Sequence, residues 1–177
     1  MIRFVFSAFL VFCTVAGFSQ DSAIPAPIQV SKTSQLILRA YAEGVQIYVC
    51  RQDAKDTTHY VWVFKEPRAV LYADSAHHTV IGKHYFNAEN NPTWETNDGA
   101  KVSGTKVQQA NAPDSNAIPW LLLKTTTPNA TGVLKSTAFI QRIFTVGGKA
   151  PATADKSQLG KAVEIPYTAE YLFYSEK

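Results

Sequence analysis

Cysteine is scarce in this chain: two residues in 177, Cys13 and Cys50. Cys13 falls inside an apolar N-terminal stretch with the features of a cleaved leader. Cys50 is therefore the lone cysteine expected in the folded domain, and an internal disulfide is excluded. A solitary thiol between Val49 and Arg51 is expected as a small buried hydrophobe rather than a nucleophile. Charge is also thin, at 18% of residues, with 17 basic against 14 acidic side chains. No basic run stands out, so the electrostatic footprint of a nucleic-acid binder is missing. Ser103 and Ser136 lack a G-x-S-x-G elbow. "VGGKAP" has neither the spacing of a phosphate loop nor that of a dinucleotide fingerprint. His77, His78 and His84 lack the helical i, i+4 pairing of a zinc protease, and no acidic calcium loop is present. No metal and no cofactor is expected. Amphipathic helix is lacking too, since no capped segment repeats its apolar residues at i, i+3, i+4, i+7.

The chain does have a leader-like start, "MIRFVFSAFLVFCTVAGFSQ". Arg3 supplies a positive end, an apolar run follows from Phe4 to about Val15, and Ala16, Gly17 and Ser19 supply small residues for cleavage. The pattern predicts a signal peptide over 1–19, an extended arm over 20–34 and one domain over 35–177. The protein is expected to be secreted or periplasmic, with no membrane insertion once the leader is removed.

Period-two alternation runs through most of the remainder. Val45, Ile47 and Val49 face one way, and Gln46, Tyr48 and Cys50 the other. Leu36 to Tyr41 reads as a preceding strand, with Gly44 at a turn or bulge. "HYVWVFKEPRAVLY" alternates likewise, but Pro67 lacks a ladder donor, which predicts two short strands or an edge position. "TVIGKHYF", "IPWLLLKTTT", "STAFIQRIFTVGG" and "IPYTAEYLFYSE" complete the strand set. Short strands punctuated by Pro and Gly predict an all-β, mainly antiparallel sandwich or flattened barrel. "VGGKAPATADKSQLGKAVE" reads as a polar connection covering one end of the sheet.

Candidate chemistry concentrates in "GKHYFNAENNPTWETNDG", residues 82–99. His84 is a candidate base, with Glu95 or Asp98 as its orienter or acid. Asp98-Gly99 also reads as a hairpin turn, because glycine accepts positive φ without steric cost. Trp94, among Asn90, Asn91, Thr93 and Glu95, is expected partly exposed, and Trp120 within "IPWLLL" is expected in the core. Arg142 shares a face with Ile140 and Phe144 by period two. It needs a carboxylate or carbonyl partner, for which Asp98, Glu95 and Glu170 are candidates. Gly147 and Gly148 are expected to permit a tight exit from their strand. "NAT" at 129–131 matches a glycosylation sequon.

Six ordered blocks, "EGVQIYVC", "WVFKEPRAVLY", "GKHYFNAENNPTWETNDGAKVSG", "IPWLLLK", "STAFIQRIFTVGGKAP" and "IPYTAEYLFY", resemble a family of exported bacterial and fungal proteins, domain of unknown function 3455. The resemblance implies no established activity. Its pattern falls on His84, Pro92, Thr93, Trp94, Asp98, Gly99, Trp120, Gln141, Arg142, Gly147 and Gly148. Relatives often have a tighter Gly-Pro-Thr-Trp where this chain has "NAENNPTW", and many carry a second cysteine after the Gly-Gly block, absent here. The expectation is an exported, non-enzymatic binding or envelope-associated protein. Its polar-aromatic surface site would comprise Trp94, His84, Glu95 and Asp98, with a glycan or small apolar molecule as partner. Two alternatives stand: a hydrolase or lyase using His84 with Glu95 or Asp98, and a structural surface protein without a small ligand.

Overall fold

A computed structural model describes residues 24–127 and 130–176. The predicted leader over 1–19, with Cys13, and Asn129 of the sequon lie outside the described residues. Eight strands follow in order: β1 (Gln35–Gln52), β2 (Tyr60–Tyr72), β3 (Val80–Phe86), β4 (Pro92–Thr96), β5 (Lys101–Ala110), β6 (Trp120–Thr125), β7 (Phe139–Gly147) and β8 (Ala162–Ser175). Each pairs antiparallel with the next, and β8 returns to pair with β1, so the sheet closes as an up-and-down barrel. Closure decides between the two predicted all-β architectures, and every strand is paired on both sides over at least part of its length.

The barrel closes around complementary sizes. Along β1, the inward positions Ala40, Ala42 and Gly44 are small, and they face Tyr171, Ala169 and Tyr167 of β8 in register. Across the other edge of β1, Gly44 pairs with Ala69 of β2, which in turn pairs with His84 of β3. One wall is thus cut back so that large rings from β3, β4 and β8 can meet in the middle. Gly44 is not a turn. It lies within one continuous strand, where a Cβ would come 2.1 Å from the Arg68 carbonyl oxygen. The period-two pattern stops before Gly44 because the side chains there are too small to register as apolar.

Pro67 does not split β2 either. The strand runs unbroken along β1, with a bulge that skips Lys65, but its pairing with β3 begins only at Arg68. Pro67 therefore sits at a local edge, where its missing N–H leaves no gap in a ladder. The strand that the sequence conceals is β5, "KVSGTKVQQA", whose side chains are mostly exposed or polar.

Strand direction places the connections 53–59, 87–91, 111–119 and 148–161 at one end. The opposite end is filled: Leu134, from the 3-10 turn Gly132–Leu134, is fully buried among Trp94, Val102, Ile140 and Phe173. The long polar connection before β8 packs on the end of the β1–β2 hairpin, as expected. There Cys50 N–H donates to Lys161 O and Trp62 Nε1 to Thr153 O, and Cys50 is buried beneath it. Outside the barrel lies a second core. Ile28, in the 3-10 turn Ala26–Ile28 of the N-terminal arm, packs with Trp120, Leu122, Ile143 and Leu172. Gln141 Nε2 donates to Ile28 O and ties the arm down.

Candidate functional site

β4 is five residues long, and its alternation turns Trp94 inward and Glu95 outward. Trp94 is 1% exposed, against the expectation of a partly exposed side chain. Its polar neighbours in sequence belong to the outer face or to the 87–91 loop, and closure of the barrel brings β8 over the indole. The ring stacks on His84 at 4.5 Å and 11°, and meets Tyr171 and Phe173 edge-on.

His84 is Trp94's partner in register and is 3% exposed. Its Nδ1 lies 2.9 Å from Thr93 O, an acceptor only, so Nδ1 carries the hydrogen and Nε2 is left as an acceptor. Burial, with a smaller push from the Arg142 charge, lowers its pKa to about 3. The imidazole is neutral throughout the physiological range.

The structure does not bring the predicted carboxylates to this ring. Glu95 lies on the outer face between Lys83 and Lys101, each 3.4 Å away, and accepts from Tyr85 OH at 2.7 Å. The Tyr85 hydrogen bond leads these neighbours in holding Glu95 below its usual range, and Tyr85 itself is raised to about 12. Asp98 is the turn residue: its Oδ1 accepts from Thr96 Oγ1 and from Ala100 N–H, and Gly99 has φ of 83°. Thr96 Oγ1 leads in lowering the Asp98 pKa. His84, Glu95 and Asp98 therefore form no acid–base set. The physical reason is the strand period, which sends positions 94 and 95 to opposite faces.

Arg142 follows Ile140 inward on β7, but Phe144 does not share that face. It takes φ of 48° in the bulge between Ile143 and Val146 and turns outward against Trp120. None of the predicted carboxylates reaches Arg142. Glu170 points outward and pairs with Arg39 at 3.1 Å. The guanidinium instead donates from Nε and Nη2 to Pro119 O, at 3.3 and 2.9 Å. Trp120 lies in the outer core beneath the arm. Gly147 and Gly148 both have positive φ, and a Cβ on Gly148 would meet Tyr167 Cβ at 2.9 Å.

His84, Trp94 and Arg142 share a cavity of about 330 Å³ in the unfilled end of the barrel. Ile118, Leu121, Leu123 and Phe86 contribute apolar wall, Gln46 and Tyr171 polar floor, and Lys106 and Gln109 part of the rim. Sequence reasoning missed Gln46 and Tyr171. Gln46 had a signal, since it shares its strand face with Tyr48 and Cys50, and that face proves to be the inner one. Four polar atoms at or beside this floor are buried: Gln46 Nε2, Trp94 Nε1, Tyr167 OH and Tyr171 OH. Gln46, Tyr167, Tyr171 and Arg142 influence one another, in that order, as hydrogen-bonding neighbours. Burial raises both tyrosines, so their hydroxyls remain donors. Among the described residues, no group of three or more His, Cys, Asp or Glu is placed to hold a metal ion.

No curated protein and no solved structure matches the chain. A family model does, over residues 30–175, which takes in all eight strands and the cavity they enclose. The chain belongs to the family described as "Protein of unknown function (DUF3455)".

Proposed function

We propose that this domain is an exported, non-enzymatic binding barrel that takes a small, mainly apolar molecule into the cavity above Trp94 and His84. The observation that carries the proposal is the cavity itself: a concave, largely apolar space with a few convergent polar groups, the usual make-up of a small-molecule site. The binding surface expected around Trp94, His84, Glu95 and Asp98 is thereby moved indoors, and only Trp94 and His84 belong to it. A hydrolytic reading gains no support, because its carboxylates lie on the outer face and in a turn. The exterior favours a soluble barrel. The pairs Arg39–Glu170, Arg68–Glu164 and Lys83–Glu95–Lys101 lie across it, whereas a membrane-spanning barrel presents apolar side chains outward. Export rests on the sequence of the first nineteen residues.

A neutral apolar fluorophore such as N-phenyl-1-naphthylamine tests the reading. Saturable binding with a blue-shifted, enhanced emission is expected, with quenching or energy transfer reporting from Trp94. Leu121→Trp, which fills the cavity, is expected to weaken binding by about tenfold or more while the far-UV spectrum stays unchanged. Binding that is unsaturable, or indifferent to Leu121→Trp, would place the probe elsewhere and defeat the reading.

A further inference from the structure

The cavity contains an electrostatic imbalance that an apolar ligand alone would leave in place. Its charged lining residues are both basic: Arg142 on the wall and Lys106 at the rim, with no Asp or Glu among the residues that line it. Arg142 has no carboxylate within ion-pair reach among the described residues. Pro119 O takes its Nε and one Nη2 hydrogen, and among the described residues Nη1 makes no hydrogen bond to a carbonyl or carboxylate oxygen. A half-buried guanidinium without a counter-charge is unfavourable, and one edge of its planar fork remains open.

The groups around it bring no negative charge. Tyr171 pairs with Arg142 in register, and its buried hydroxyl feels both Arg142 and Tyr167 as hydrogen-bonding neighbours. Gln46 lines the same floor, with its buried Nε2 beside the Tyr167 hydroxyl. His84 adds no second positive charge, because its ring is neutral. One guanidinium fork with an open edge, in a lining without a carboxylate, therefore calls for two closely spaced acceptor oxygens carrying a single negative charge. From this we infer that the ligand is an apolar monocarboxylate. Its carboxylate is received by the open edge of the Arg142 guanidinium, and its apolar body lies along Leu121, Leu123 and the Trp94–His84 stack. The inference rests on the cavity being the binding site and adds the chemical class of what enters it.

Three molecules of one shape separate the possibilities: 2-naphthoate, 2-naphthylmethanol and 2-naphthylmethylamine, each titrated against bound N-phenyl-1-naphthylamine. The carboxylate is expected to displace the probe at least about tenfold more tightly than the alcohol, and the amine most weakly. Arg142→Met is expected to bring the carboxylate down to the level of the alcohol while the neutral probe stays bound. Arg142→Lys keeps a reduced preference, and Lys106→Met, at the rim, lowers the preference less than Arg142→Met does. Equal binding of carboxylate and alcohol to the unaltered protein, or a preference lost in Lys106→Met but not in Arg142→Met, would overturn the inference while the cavity reading stands. Failure of the neutral probe and of all three naphthyl compounds to bind would overturn both. The first comparison needs no variant, so a poorly folding Arg142→Met does not shield the inference.

Discussion

At His84 the Nδ1–H is committed to Thr93 O and the ring face to Trp94, so a second proton would place a charge on a buried ring near Arg142. The direction of the pH effect follows. The unfolded chain takes up that proton near pH 6.5, whereas the folded chain resists it down to about 3. Between those values the unfolded state binds more protons, so this group leaves stability untouched well above pH 6.5 and removes it progressively as pH falls below. The slope approaches ~1.4 kcal/mol per pH unit. Urea midpoints measured from about pH 6 to pH 5 should fall in the native chain and flatten in His84→Gln, above the usual carboxylate range. The sequence marked His84, Trp94 and Arg142 individually. It could not show that they meet, because strands β3, β4 and β7 face one another only after β8 has closed on β1. Glu95 and Asp98 looked like partners through closeness along the chain, which in an extended strand says little about closeness in space.

Among the elements, β1 shows most clearly what a pattern hides. Its alternating half, Val45 to Cys50, was legible, and its smaller half, Ala40 to Gly44, was not, although the second half decides how near β2 and β8 approach. Gly44→Ala is expected to cost at least ~2 kcal/mol, because the new methyl meets backbone 2.1 Å away and cannot be accommodated by a side-chain rotation. Gly99→Ala offers the contrast: nothing lies within 4 Å, and only the φ of 83° opposes it, at a cost of about 1 kcal/mol. Urea unfolding of the two variants separates steric exclusion from backbone strain. β5 escaped notice for a different reason. Its outer stretch, with Lys106 and Gln109 at the rim, lines the cavity mouth rather than a packed core, so it never needed an apolar face. A strand that borders a site reads as a loop when burial is the only signal sought.

For the molecule as a whole, the sequence supplied the all-β class, the antiparallel order and a single buried thiol, all of which follow from alternation and turn chemistry. The choice between sandwich and closed barrel, and the double core, were not legible. "IPWLLLK" and "STAFIQRIFTVGG" are apolar on both faces, which one sheet surface cannot explain by itself. The second face exists for the arm. Ile28→Ala is expected to cost about 2–4 kcal/mol in urea unfolding, since the side chain is fully buried against Trp120, Leu122, Ile143 and Leu172. An effect under ~1 kcal/mol would mean that the arm rests on the barrel without stabilising it. The upper half of β2 carries a further consequence. From Val61 to Pro67 the strand is bonded in ladder fashion to β1 but not to β3, and the breach is spanned by Phe64 resting edge-on against Phe86, rings 5.6 Å apart. Both rings, with Pro67 and Pro92, border the cavity. A wall closed by two phenyl groups opens by rotamer hops on the picosecond-to-nanosecond scale, whereas separating a ladder demands local unfolding. On the binding reading proposed above, a molecule passing between Phe64 and Phe86 would reach the cavity without a single ladder bond of the sheet being broken.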